Sequence, residues 1–528
     1  MKNLLFAILS GLLLAFAWPT YGFPLLLFFG FVPLLLVEFK IRNSTSRFKK
    51  LQVLGHAYLS FVIWNLITTI WLAYSTLFGG AFAILVNSLL MALVFLLYHI
   101  VAKRTNFKAS TAFLICLWIV FEKLHLSWDF SWPWLNLGNG FAVFYEWIQW
   151  YEYTGTFGGT LWVLLVNVAV FKAFLLYSEH RKKDILIRSS IKVGAMIVVP
   201  IIISYLILFN YSEGKEKLEV VILQPNINPY TEKYNTTDTR IGELLLKISD
   251  SLVTDSTELL IAPETVFADG TALSKFTNSE AKYFGDQLIK KHPKLSFLSG
   301  VSMFERFSDS SKVGRQSNII GPYDWYNDYN SAFFMNAGSQ PELYHKSKLV
   351  VGVENFPYQN YLRPLLGNIM IDLGGTVAMK TTQEEREVFN LNSSESTAPI
   401  ICYESVYGEY VTGYVKNGAN FLTIITNDAW WGDSQGHKQH LSYASLRAIE
   451  TRRSVVRSAN TGISAIINEK GEVIKSLGYA KQGSLKGQIS LNSEITFYVK
   501  YGDYIARIAQ LLALLLFVFT FIKHKRRR

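Results

Sequence analysis

A chain of 528 residues in which 50% are apolar and only 17% charged is too apolar for an ordinary soluble protein of two or three domains. Its net charge of +11 would suit nucleic acid or an anionic membrane surface, and the placement of the basic residues decides for the membrane. The only cysteines are Cys116, inside an apolar run, and Cys402, in a polar region far along the chain, which excludes a disulfide framework.

Apolar runs long enough to cross a bilayer are expected near 3–18, 22–38, 54–74, 81–101, 108–124, 160–177, 191–210 and 505–522. The first two are short, and Glu122 with Lys123 closes the fifth early. Lys2, the first apolar stretch and Ala15-Phe16-Ala17 also resemble a signal peptide with its cleavage site. The second apolar run follows at once and favours a retained span, and the downstream orientation is the same either way.

The basic residues fall on one side. Loops between alternate spans carry Lys40, Arg42, Arg47, Lys49 and Lys50; Lys103, Arg104 and Lys108; and Arg181, Lys182, Lys183 and Arg188. The tail adds Lys523, Lys525, Arg526, Arg527 and Arg528, whereas segments 19–21, 75–80 and 125–159 contain no Lys or Arg. Lys and Arg are retained on the cytoplasmic side, so both termini are expected in the cytoplasm and residues 211–504 outside it. A lone thiol in an oxidising compartment is a liability, which favours a chemical use for Cys402. The outer segment 125–159 holds Trp128, Trp132, Trp134, Trp147 and Trp150. Such rings suit an interfacial belt at headgroup depth, or the wall of a lipid entrance.

From Leu218 the pattern changes to short β-branched runs. Residues 218–223, 259–262, 296–300, 332–336, 400–403, 421–426 and 464–468 are expected as strands, with helices at 239–253 and 279–291 and a surface loop at 392–397. Strands alternating with helices define an α/β domain. The expected organisation is a transmembrane domain over 1–211, a catalytic α/β domain over 212–500, and a last span with its basic tail over 501–528.

Three strand ends carry reactive groups: Glu264 after Ile261-Ala262-Pro263; Lys346 within Leu343-Tyr344-His345-Lys346, with Glu354 eight residues on; and Cys402 after Ile400-Ile401. Singly, none identifies an enzyme, since each type is common at strand ends for structural reasons. Together they supply a nucleophile, a carboxylate to move its proton, and fixed positive charge for an oxyanion. A helix starting near Glu404 would lower the thiol pKa through its N-terminal dipole. There is no Gly-x-Ser-x-Gly elbow and no phosphate loop. His437 and His440 form a weak pair without the spacing of a zinc site.

Ala262-Pro263-Glu264, Tyr344-His345-Lys346 and Cys402-Tyr403-Glu404 resemble the Glu, Lys and Cys signatures of the carbon–nitrogen hydrolase (nitrilase) superfamily. Gln224-Pro225-Asn226-Ile227, the stretch Thr426–Gly432 and the stretch Arg457–Gly462 agree in order and spacing. Within that superfamily, a domain held between seven N-terminal spans and one C-terminal span resembles the apolipoprotein N-acyltransferases. The resemblance implies an α-helical membrane bundle of about eight spans joined to an extracytoplasmic α/β nitrilase-like αββα sandwich, in the bacterial inner membrane with the catalytic domain periplasmic. It implies that a fatty acyl chain passes from a membrane phospholipid, through a Cys402 thioester, to the α-amino group of an N-terminal diacylglyceryl-cysteine on a prolipoprotein. No cofactor and no nucleic acid are implied.

By the same resemblance Cys402 is the nucleophile, Glu264 the general base and acid, and Lys346 the oxyanion-stabilising cation. Glu354 and Glu404 are supporting acids, and Tyr403 offers its backbone N–H to the oxyanion. Two departures stand out: Val351-Gly352-Val353 precedes Glu354 where many members have Pro-Phe-Gly, and Lys348 replaces a common His, creating a rival to Lys346. Two other functions compete. A membrane-anchored amidase acting on a small C–N substrate would use the same residues but needs only one anchor. A transporter with an outer binding domain would place ionisable groups at mid-membrane, where these spans have few.

Overall fold

The computed structural model describes residues 1–233, 235–359, 361–362 and 378–525; Arg526, Arg527 and Arg528 of the basic tail lie outside them. The chain divides into two units. One comprises residues 1–73, 77–211 and 501–528, and the other 74–76 and 212–500.

The first unit is helical, and a helix lies at each of the eight expected positions. Six are long and apolar enough to cross a membrane: Pro24–Arg42, Lys49–Tyr74, Leu77–Ala102, Thr156–His180, Lys183–Asn210 and Tyr504–Ile522. The other two fall short of the sequence-based expectation for different reasons. Lys2–Ala15 is apolar but has 14 residues, about 21 Å of helix against a hydrocarbon core of about 30 Å. Phe107–Leu124 has 18 residues but includes Lys108, Glu122 and Lys123. Glu122 is buried and fully engaged, accepting from the Leu137 N–H at 2.8 Å, the Thr160 hydroxyl at 2.6 Å and the Trp118 indole at 3.1 Å.

The 125–159 segment folds into short helical turns whose rings pack on one another. Trp132 stacks on Trp134 with centroids 5.7 Å apart, and Trp134 is fully buried. Trp134 therefore belongs to the interior of this unit rather than to an exposed belt.

The second unit holds two sheets. In the first, β1 (Lys217–Gln224), β2 (Leu259–Ile261) and β4 (Ser296–Phe307) run parallel. They are flanked by β3 (Phe267–Ala272), β5 (Asn318–Gly321), β6 (Asp324–Met335), β7 (Glu342–His345) and β14 (Gly483–Ser490). The second has the order β13-β12-β11-β10-β9-β8: Val473–Leu477, Ser464–Ile467, Val455–Ala459, Phe421–Thr426, Ser396–Ile401 and Phe389–Asn390. Here β9, β10 and β11 are parallel.

The sheets face each other, β1 against β11 and β6 against β9, with helices on the outer sides. This is the αββα sandwich. Both faces of its parallel strands are covered, which explains the continuous apolar runs 218–223 and 421–426. On the outer side of the first sheet, Val221, Leu223, Leu260, Phe297 and Phe333 pack with Ile241, Leu245, Phe284 and Leu288 from helices Asp238–Ser249 and Glu280–Lys291.

Several boundaries differ from the sequence reading. The 332–336 strand is the end of the 12-residue β6, whose half-buried start, Asp324-Trp325-Tyr326-Asn327, shows no apolar alternation. Ser396 and Thr397 belong to β9 rather than to the expected loop, because the Ser396 N–H is capped by Asn420 Oδ1 at 2.8 Å and Thr397 pairs with Phe389 and Phe421.

Candidate active site

Glu264 lies three residues beyond β2. Its backbone is pressed onto β4, where the Gly300 N–H donates to the Pro263 carbonyl at 3.2 Å. A Cβ on Gly300 would stand 2.3 Å from the Thr265 nitrogen and 2.7 Å from the Glu264 Cα, so only glycine permits the approach. Thr265 then takes a left-handed φ of 43° and turns the chain. The Glu264 carboxylate is held on both oxygens. Oε1 accepts from the Asn330 amide at 2.7 Å and Lys346 Nζ at 3.0 Å; Oε2 accepts from the Asn427 N–H at 3.0 Å.

Lys346 follows β7 directly, and its side chain is 1% exposed. Its ammonium lies between two carboxylates, 3.0 Å from Glu264 Oε1 and 2.9 Å from Glu354 Oε2. Burial would strip its proton, but the charges of Glu264 and Glu354 outweigh burial and hold its pKa well above the usual lysine value. Glu354 is the mirror case. Burial raises its pKa, while Lys346, the Val350 N–H and Asn330 bring it below the ordinary carboxylate value. Lys348 is elsewhere, with its ammonium over the rings of Tyr407 at 5.2 Å and Tyr410 at 5.6 Å.

Cys402 directly follows β9 with φ +50°, a left-handed conformation costing a non-glycine residue about 1–3 kcal/mol. Glu404 holds this turn. Its Oε2 accepts from the Ile401 N–H at 2.8 Å, and its Oε1 accepts from the Ser347 N–H at 2.6 Å and the Tyr344 hydroxyl at 2.7 Å. One buried carboxylate thus fastens the Cys402 turn to the segment that carries Lys346.

The expectation of a helix dipole lowering the thiol pKa is wrong. Cys402–Val406 is a single 3-10 stretch, and the α-helix begins only at Gly408. Burial pushes the Cys402 thiol far up, Glu264 and Asp428 add to this, and Lys346 and the Thr426 hydroxyl offset only part of it. The resting group is a neutral thiol.

A second buried network supports the same turn. Asp428 receives the Thr426 hydroxyl at 2.8 Å and Arg457 at 2.5 Å, and pairs with His440 Nδ1 at 3.0 Å. His440 Nε2 lies 3.0 Å from the Ser405 hydroxyl and 3.2 Å from the Cys402 carbonyl oxygen. Burial raises the Asp428 pKa, but Arg457 and His440 hold it far below the usual carboxylate range. Sγ of Cys402, a carboxylate oxygen of Asp428 and a ring nitrogen of His440 lie within 4.8 Å of one another. They are metal-ligating types, yet Arg457 already places a fixed positive charge on that carboxylate.

His437 does not join His440; its Nδ1 meets the Gly432 carbonyl at 3.2 Å and its ring stacks on Tyr479. Sequence reasoning assigned no role to Asn330, Asn427, Asp428, His440 or Arg457. Three of these lie inside or at the edge of the stretches 426–432 and 457–462, which was the available signal.

Thiol, ammonium and carboxylates at the carboxyl ends of strands define a carbon–nitrogen hydrolase domain, and residues 308–497 match the carbon–nitrogen hydrolase family model. Residues 10–169 match the model of the apolipoprotein N-acyltransferase N-terminal domain. The chain belongs to the apolipoprotein N-acyltransferase family. It is similar to the apolipoprotein N-acyltransferase of Chlorobaculum tepidum, 28% identical over 96% of this chain and 94% of that one. It is also similar to that of Thermotoga maritima, 26% identical over 97% and 92%. A solved structure of Saccharomyces cerevisiae Nit3, of branch 10 of the nitrilase superfamily, aligns with 56% of this chain and 96% of its own at 12% identity and a TM-score of 0.36.

Proposed function

We propose that the protein is a membrane-bound apolipoprotein N-acyltransferase that carries an acyl chain on Cys402. The observation that carries this reading is the buried Glu264–Lys346–Glu354 cluster, coupled to the Cys402 thiol, in a chain with helices long enough to span a membrane. Such a site cannot rely on a standing thiolate, so deprotonation and attack are coupled.

Glu264 takes the thiol proton as sulfur attacks the ester carbonyl of a membrane phospholipid. The Lys346 ammonium and the Tyr403 N–H stabilise the oxyanion. Its collapse breaks the ester C–O bond, and Glu264 returns the proton to the departing lysophospholipid oxygen. In the second half the α-amino group of a diacylglyceryl-cysteine attacks the thioester. Glu264 accepts the amine's proton, an amide forms, and the thiol is restored. Glu354 holds Lys346 charged, and Glu404 holds the nucleophile's turn. Because both lipid substrates reside in the bilayer, a membrane-bound site lets one thiol serve them in turn and keeps water from the thioester.

The test is the intact mass of purified protein incubated with phospholipid alone. One acyl chain is expected, released by hydroxylamine, together with lysophospholipid before any acceptor is added. Ammonia release from small amides without acyl adduct would establish an amidase instead.

The same reading puts the catalytic unit on the periplasmic side of the inner membrane. It is supported by the Lys/Arg asymmetry of the loops. A reporter active only outside the cytoplasm should work when fused at Ser212 and be silent at Lys50, Lys183 or Arg528. Activity at Lys183 would invert the orientation.

A further inference from the structure

Lys233 is a second buried lysine beside the Glu264 site that the mechanism above does not use; it is 7% exposed. It ends a turn in which its N–H and that of Glu232 both donate to the Asn228 carbonyl, at 2.9 and 3.0 Å. Its ammonium donates to the Thr265 hydroxyl at 2.5 Å. Thr265 is the left-handed residue next to Glu264.

The same 226–233 segment reaches the other side of Glu264 by a separate path. The Ile227 N–H donates to Asn460 Oδ1 at 2.9 Å, and the Asn460 amide donates to Asn427 Oδ1 at 3.2 Å. The Asn427 N–H donates to Glu264 Oε2. One segment therefore grips the carboxylate residue through its backbone neighbour and through its side chain.

Resting on the acyl-transfer reading, we infer that Lys233 is a positioning residue that anchors the Glu264 turn through Thr265 and, by its charge, sets how strong a base Glu264 is toward the Cys402 thiol. The charged groups acting on it are Glu264 and Glu354, which favour its cation, and Lys346 and Lys380, which oppose it. Lys380 is itself paired with Asp328 at 2.8 Å. Burial outweighs the two carboxylates and brings Lys233 down to about 8.

Below that pH Lys233 is a cation and stabilises the Glu264 carboxylate, making it a weaker base. Above it the charge is gone and Glu264 binds the thiol proton more readily. Thiol acylation in the wild type should therefore rise through pH 8 by roughly tenfold, which is about 1.4 kcal/mol of barrier. A methionine at 233 has no charge to lose, and an arginine none that it can lose, so in both the step should vanish.

The experiment is single-turnover acylation of the full-length protein by phosphatidylethanolamine in detergent micelles, from pH 6.5 to 9.5. It compares wild type, Lys233→Met and Lys233→Arg, with Tm as a folding control. The readout is the ratio of rates at the two pH limits, which a uniform loss of activity leaves unchanged. A ratio of roughly ten in the wild type and near one in the folded variants is expected; if Lys233→Met does not fold, Lys233→Arg alone decides. A wild-type ratio near one, or a wild-type ratio retained in either folded variant, overturns the role of Lys233. Absence of any acyl adduct in the wild type would instead overturn the thioester reading itself.

Discussion

Cys402→Ala is expected to abolish acyl-enzyme formation and to lower transfer by roughly 10⁶-fold, the scale for losing a nucleophile from a cooperating set. Cys116→Ala should acylate normally, because Cys116 lies in the helix Phe107–Leu124 of the other unit. Cys402→Ser is the sharper variant. It keeps the left-handed turn and the Glu404 anchorage, but an alkoxide is far harder to generate than a thiolate. Because the resting thiol is neutral and pushed up by burial, even the wild type should react slowly with iodoacetamide at pH 8. Mass spectrometry with phospholipid, and alkylation without it, check both statements. Native-rate transfer by Cys402→Ala would end the thioester mechanism.

Lys346→Ala should have the next largest effect, and on two quantities. Turnover should fall by roughly 10²- to 10³-fold, as when an oxyanion donor is lost. Stability should fall by about 3–5 kcal/mol, because Glu264 and Glu354 remain buried without their cation. The destabilisation should depend on pH. Glu354 is held below its unfolded pKa, so its stabilising contribution in the wild type is present above the unfolded value and is lost as pH falls through the folded one. In the variant that depression is gone, and acid relieves the stranded carboxylates. The Tm gap between wild type and Lys346→Ala should therefore be widest near pH 7 and narrow toward pH 4. Lys348→Ala gives up two contacts with tyrosine faces, about 0.5–1 kcal/mol each, and should keep most of the turnover. The reverse ranking of the two lysines would assign the oxyanion to the wrong one.

Much of this site could be read along the chain because parallel strands deliver their functional groups at carboxyl ends, just after the apolar run. Ile261 and Ile401 mark those ends, and Glu264 and Cys402 follow within three residues. The supporting groups were harder to see. Asn330 is an internal residue of β6, Asn427 reaches Glu264 only through its backbone N–H, and Glu404 looks like any polar residue after a strand. Each matters through a partner 57 to 163 residues away in sequence, a relation that periodicity cannot express.

The sequence by itself determined the membrane helices and the chemistry. Apolar runs of about 20 residues must satisfy their backbone internally, and helices do so; thiol, amine and carboxylate are legible as residue types. The resemblance already favoured Lys346 over Lys348, by the Tyr-x-Lys pattern and the eight-residue spacing to Glu354; only the tertiary structure decided where each ammonium lies. Two residues apart, they would share one face of a continuing strand, but β7 stops at His345 and the chain turns, sending one ammonium between buried carboxylates and the other onto tyrosine rings. Only the tertiary structure also decided the state of Cys402. A local helix dipole can be guessed from neighbouring residues, whereas desolvation depends on everything folded around the thiol, and here desolvation wins.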